Sequence, residues 1–201
     1  MKALINPRVF TMSLLALGLA IGSTSCGKKK KAAQPGPAPT GEVRITQYCA
    51  GPDYFSDSKF FRANNLGESM DQATAKRRAY TNARADLASA INTTVKRVID
   101  DYVLTREFNN REEIEERYEA LTREVVDQQL NGIRTICEEV VRVTENGNFK
   151  YYVAIELSGE ELANAINQGI SRDERLRIDY DYERFKETFD KEMERMARER
   201  N

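Results

Sequence analysis

The sequence of 201 residues contains no histidine and no tryptophan, and only three cysteines. Without histidine, neither a Ser-His-Asp nor a Cys-His arrangement has its base. Imidazole is also lost as a metal ligand, which leaves carboxylates and thiolates alone for any metal. No glycine-rich phosphate loop ending in Lys-Ser or Lys-Thr is present, so a Walker-type nucleotide site is not indicated. Charge of one sign is not in excess either. Lys plus Arg total 31 against Asp plus Glu 32, a net charge of -1, which gives no electrostatic basis for nucleic-acid binding. These absences predict no catalytic residue, no cofactor and no metal.

What is present begins at the N-terminus. Lys2 and Arg8 precede Val9 to Ile21, apolar apart from Thr11, Ser13 and Gly18. A stretch of about 13 such residues suits the apolar region of a secretory signal and is too short to span a bilayer. Small residues follow from Gly22 to Ser25, and then comes Cys26. The pattern predicts a lipoprotein signal peptide over 1–25, cut before Cys26, whose sulfur carries diacylglycerol and whose new amino terminus takes an acyl chain such as palmitate. Thr24 and Ser25 fit the cleavage box, whereas Ser23 stands where leucine is commoner. The alternative is an ordinary secretory signal followed by an unrelated cysteine.

Residues 26–41 read as a lipidated tether. Lys28 to Lys31 is a basic run, and Pro35, Pro37 and Pro39 interrupt any regular structure, so the segment takes an extended, solvated course. The lysines either lie against anionic headgroups, each adding about 1 kcal/mol, or act as a plain spacer. Gly27, in place of the aspartate that retains lipoproteins in the inner membrane of enteric bacteria, points to the outer membrane. A basic run rather than an acidic one favours its periplasmic face.

The folded part is expected over 42–170. Val43 and Ile45 alternate with Arg44, Thr46 and Tyr48, which predicts a strand over Glu42 to Cys49. Ala50 to Ser69 reads as a long loop carrying Tyr54, Phe55, Phe60 and Phe61, either as core closing over a sheet or as a ligand groove. From Met70 to Leu104 an apolar stripe recurs at Tyr80, Ala83, Leu87, Ile91, Val95, Val98 and Tyr102, which predicts a long amphipathic helix rich in alanine. Ile114, Tyr118, Leu121 and Val125 predict a second helix over Arg111 to Leu130, with a break at Asn109-Asn110. Ile133, Thr135, Cys137, Val141 and Val143 predict a strand over Gly132 to Glu145. Asn146-Gly147 then signals a type I′ hairpin turn, followed by a strand carrying Phe149, Tyr151, Val153, Ile155 and Leu157. Ser158 and Glu161 form a capping box for a helix to about Ile170. The class is α+β: a small antiparallel sheet packed by one long amphipathic helix.

Cys49 and Cys137 remain after lipidation of Cys26. An even pair beyond an export signal predicts a disulfide, against the alternatives of two buried thiols or, without Cys-x-x-Cys spacing, a redox pair. Residues 171–201 form a charged amphipathic helix with a stripe of Ile178, Tyr182, Phe185, Phe189, Met193 and Met196. Its i,i+4 pairs would be Glu187/Lys191 and Glu194/Arg198. This helix either docks on its own domain or serves partner binding or self-association through Tyr182, Phe185, Phe189 and Met193.

The motif Ala75-x3-Ala79-x3-Ala83-Arg84-x2-Leu87-Ala88-x2-Ile91, with Gly132-Ile133 and Tyr151-Tyr152-Val153-Ala154-Ile155, resembles the twenty-kilodalton lipoprotein (LPP-twenty) family of Gram-negative envelope proteins. The likeness covers about 70–160 plus the lipobox. It implies a compact domain related to one found in flagellar and envelope assembly factors, and no catalytic residue; only Cys26 carries over as a functional site. The expected function is that of a non-enzymatic, membrane-anchored envelope lipoprotein that binds other envelope proteins. The alternatives are a cell-envelope enzyme using carboxylates and a small-ligand carrier using the aromatic loop.

Overall fold

The computed structural model describes residues 41, 43, 45–104 and 111–199. The chain divides into Met1–Arg44 and Ile45–Asn201; the elements below belong to the second unit. Cys26 and the Asn109-Asn110 break lie outside the described residues.

Three strands, β1 (Phe60–Ser69), β2 (Arg134–Arg142) and β3 (Phe149–Ser158), form an antiparallel sheet in the order β1-β3-β2. Four helices accompany them: α1 (Gln72–Leu104), α2 (Arg111–Gln129), α3 (Gly159–Arg172) and α4 (Tyr182–Glu199). The fold is α+β, with a C-terminal helix.

Helix α1 organises the molecule. Asp71 caps it, accepting from the Thr74 amide at 2.7 Å and satisfying one of the first-turn donors that lack a helical partner. At 33 residues it is about 50 Å long, so its two halves meet different neighbours. Ala75, Ala79 and Ala83, all fully buried, lie along the sheet-packed half. Gly67 of β1 faces this row, and a Cβ there would run into the Ala75 carbonyl and the Ala79 amide. Further along, Val98, Ile99, Tyr102 and Val103 are buried together with Tyr118 of α2 and Phe185 of α4. Tyr102 stacks edge-on with Tyr118 at 6.0 Å and with Phe185 at 5.8 Å, a geometry that aromatic quadrupoles favour.

The first strand is not where alternation placed it. No strand occupies the described part of 42–49: Val43 and Ile45 are each 87% exposed, and Cys49 sits in a turn with φ 53. The strand instead lies inside the expected loop, at Phe60–Ser69. Its helix-facing positions are Phe61, Ala63, Asn65 and Gly67, paired with Leu157, Ile155, Val153 and Tyr151. Of the aromatic pairs, Phe61 is fully buried core, whereas Tyr54, Phe55 and Phe60 are half-buried.

The hairpin between β2 and β3 forms, but not through a type I′ turn. Only Gly147 has positive φ, at 74, and its amide donates to the Val143 carbonyl at 2.8 Å while Val143 donates to Asn148 at 2.7 Å. A longer loop with one left-handed glycine closes the strands. In β2 a register irregularity between Thr135 and Cys137 shifts parity, as a bulge does. Cys137, Glu139 and Val141 therefore share one face, and Glu138 and Val140 share the other with Thr135. Ser158 caps α3, accepting from the Glu161 amide at 3.2 Å.

Candidate functional site

One face of the sheet packs on α1; the opposite face carries a cystine. Cys49 and Cys137 are disulfide-bonded, with Cα atoms 5.5 Å apart. Cys137 lies on the edge strand β2, paired with Ala154 of the central strand, so Cys49 is fixed on this face, where it is 5% exposed. Beside it the ring of Tyr48 lies 5.5 Å from that of Tyr152.

The same face carries an ion network. Glu156 of β3 lies opposite Arg62 on one side and Arg134 on the other, and it pairs with both. The Arg62 Nε bond to Glu156 is 3.0 Å, and Arg62 also donates to Asp57 at 2.7 Å. Both guanidinium groups lie over the Phe60 ring, at 5.2 and 5.9 Å. Glu156 is 5% exposed, so removing either arginine would leave a buried carboxylate short of a partner. Burial pushes the Asp57 carboxyl up, but the Lys59 and Phe60 amides and the Arg62 guanidinium outweigh it and hold it below 3.8. Sequence pattern alone does not mark Arg62, Arg134 and Glu156 as a group, because their charges meet only across three strands. The one local hint is that Phe60, Arg62 and Asn64 alternate with Phe61 and Ala63.

A second charged group lies on the α1 side. Lys76 bonds Glu138 at 2.7 Å, and Tyr80 donates to the same carboxylate at 2.9 Å. The bond from Lys76 holds the Glu138 carboxyl below 4.5, and burial pushes the Tyr80 phenol up. A charged lysine, an ionised glutamate and a protonated tyrosine form a stable hydrogen-bonded trio, not an activated nucleophile.

Between β1, α1 and α4 lies a cavity of ≈ 530 Å³. Tyr54, Phe55 and Met196 supply apolar wall, and Arg62, Asp86, Arg97 and Glu199 supply charge. Such a mixed lining differs from the dry apolar pocket that a hydrophobic carrier needs. Among the described residues, no group of His, Cys, Asp and Glu is arranged to hold a metal ion, and no helix is long and apolar enough to cross a membrane.

No protein-family model, no curated protein and no solved structure matches this chain.

The apolar stripe on α4 faces the protein's own core. Phe185, Phe189 and Met193 are at most 1% exposed, and Tyr182, half-buried, donates to Asn164 of α3 at 3.2 Å. Phe185, Phe189 and Met193 are therefore not presented to a partner in this arrangement, and Tyr182 only in part; the docked reading describes the stripe. Ile178, expected on the same stripe, lies before the helix and is 74% exposed. The Glu194/Arg198 pair forms at 3.5 Å, and a Lys186–Asp190 pair at 2.5 Å stands near the expected Glu187/Lys191 pair.

Proposed function

We propose that this chain is a lipid-anchored, non-enzymatic protein of the Gram-negative cell envelope that binds other envelope proteins, as its likeness to the twenty-kilodalton lipoproteins implies. Its sulfur anchor is Cys26, its place the periplasmic face of the outer membrane. The observation that carries the reading is the Cys49–Cys137 disulfide. A cystine persists in oxidising compartments and is rare in the cytosol, so its presence agrees with the export signal at 1–25. The cystine also gives the tether a fixed landing point. From Cys26 to Cys49 the chain can reach at most about 80 Å, and at Cys49 the cystine carries a pull on the chain into β2.

Crosslinking in intact cells, followed by mass analysis of what is joined to the lipidated protein, tests the binding role. Specific envelope proteins are expected, recovered repeatedly across crosslinker lengths. Recovery of abundant lipoproteins alone, at the level found with an unrelated anchored control, would defeat the reading.

A further inference from the structure

We propose that the outer edge of β1 at Asn64 docks one residue of an extended, uncharged peptide segment through main-chain hydrogen bonds, inside the cavity between β1, α1 and α4. The proposal rests on the protein-binding reading and names the chemistry of what is bound.

β1 is an edge strand. The Ser56 hydroxyl accepts from the Arg62 amide at 2.9 Å and donates to the Arg62 carbonyl at 3.0 Å. The main-chain groups of Arg62 thus point away from β3. The unbroken register places those of Phe60, Asn64, Leu66 and Glu68 on the same outer side, because antiparallel pairs alternate in their bonding. An exposed edge invites pairing with other chains, and proteins usually cover it. Here most of these groups are covered one by one. Asp57 serves Phe60, its carboxylate accepting from the amide at 2.9 Å and its own amide donating to the carbonyl at 3.0 Å. The Asn65 side chain accepts from the Leu66 amide at 2.8 Å, Asn82 donates to the Leu66 carbonyl at 3.3 Å, and Arg78 donates to the Glu68 carbonyl at 2.7 Å.

The Asn64 N–H and C=O have no such partner among the described residues, and Asn64 lines the ≈ 530 Å³ cavity. Two independent features coincide: the gap in the edge and the space beside it. A donor and an acceptor projecting together from an extended residue are complementary to another extended residue, the basis of strand addition. Ser56 and Asn82 close the edge on either side, so the contact is limited to one residue. The charges that line the cavity balance, Arg62 and Arg97 against Asp86 and Glu199. Arg62 is paired with Asp57 and Glu156, Arg97 lies 3.6 Å from Glu199, and Asp86 accepts from Asn65 at 2.7 Å. No net charge remains to select an ion, and an uncharged main chain suits the site. Tyr54, Phe55 and Met196 offer wall for its side chain.

The test uses the full-length protein, labelled with nitrogen-15 and held in detergent. It is titrated with the blocked tripeptide acetyl-Ala-Val-Ala-amide and with the same peptide N-methylated at its valine, which lacks the central donor. The Asn64 amide resonance is expected to move with the first peptide and not with the second. Thr93, exposed on the cavity wall, gives a variant that fills the space without touching the core. Thr93→Trp should retain the wild-type circular dichroism and lose the shift. An Asn64 resonance unmoved by both peptides, or moved equally by both, overturns the proposal. In cells, loss of partner crosslinks from Thr93→Trp supports it. Crosslinks that persist unchanged in that variant retire this site and leave the wider protein-binding reading standing. Absence of crosslinks in both proteins strikes the wider reading instead.

Discussion

Gly67 is the residue at which the packing of α1 is most sensitive. A methyl group there meets the Ala75 carbonyl, the Ala79 amide and the Arg78 Cβ, and main-chain atoms cannot swing aside. Ala in place of Gly favours a strand by roughly 0.5–1 kcal/mol, whereas overpacking costs about 1–3 kcal/mol, so the steric term wins. Gly67→Ala is expected to lower stability by about 1–2 kcal/mol, read from a urea unfolding midpoint. Gly132→Ala, with nothing within 4 Å of the added carbon and no positive φ, should leave the midpoint within about 0.5 kcal/mol. Equal effects at both glycines would dismiss the close-approach account. Titratable residues set a second expectation. With no histidine, stability should be flat from about pH 5 to 8. On the acid side, Asp57, Glu138 and Asp173 have folded values held below 3.8, 4.5 and 3.8. For Asp173, burial pushes upward and is outweighed by the Leu176 and Arg175 amides and the Arg117 guanidinium. A depressed carboxyl stabilises above its unfolded value and loses that contribution as pH falls through the folded one, so unfolding should ease below about pH 4. On the basic side, burial pushes the Tyr180 phenol well above 10.0. Its contribution is complete below that value and declines above it. A melting-temperature profile across pH 2–11 reads both limbs, and a step between pH 5 and 8 would contradict the assignment.

Among the elements, those with a wide apolar stripe were legible in the sequence and those shaped by close approach were not. The stripe of α1 is seen as read, with Leu87, Ile91 and Val98 fully buried, because a helix on a sheet buries every third or fourth side chain. β1 escaped for the opposite reason. Beyond Phe61, its helix-facing positions are Ala63, Asn65 and Gly67, small or polar so that the alanine row of α1 can come near. The alternation of large apolar residues that marks a strand is erased by that demand. Val43 and Ile45 alternate well, yet no neighbouring strand receives them. The cavity beside Asn64 was illegible for a related reason: it depends on which edge groups are covered, and sequence periodicity does not carry that. The cystine was legible as a pair and carries its own prediction. Closing a loop over a separation of 88 residues removes about 4–5 kcal/mol of unfolded-chain entropy in the simplest treatment, with typical measured values of about 2–4. The double variant Cys49→Ser, Cys137→Ser should lose that much in urea unfolding, and hydrogen exchange at Tyr48 and Ala50 should rise. A double variant as stable as the parent would show that the bond staples nothing the packing does not already hold.

For the molecule as a whole, no helix among the described residues is long and apolar enough to cross a bilayer, and under the proposed function membrane attachment would be carried by lipid on Cys26. One acyl chain binds a membrane only marginally, and two or more hold it firmly. A lipidated amino terminus with a diacylglycerol thioether meets that requirement. The basic run Lys28 to Lys31 adds to it by about 1 kcal/mol per lysine at an anionic surface. The two contributions separate by salt. Replacing the four lysines by glutamine should leave the protein in the membrane fraction at every ionic strength, because the acyl chains suffice. Cys26→Ala should release it, and the residual attraction of the lysines should disappear as salt rises and the Debye length shrinks from about 10 Å at 0.1 M to about 3 Å at 1 M. Metabolic labelling with a fatty-acid analogue should mark the parent and not the Cys26→Ala variant. Should the variant sediment with membranes as fully as the parent in high salt, attachment would have to come from protein contacts, and the tether would be a spacer with no anchor at its end.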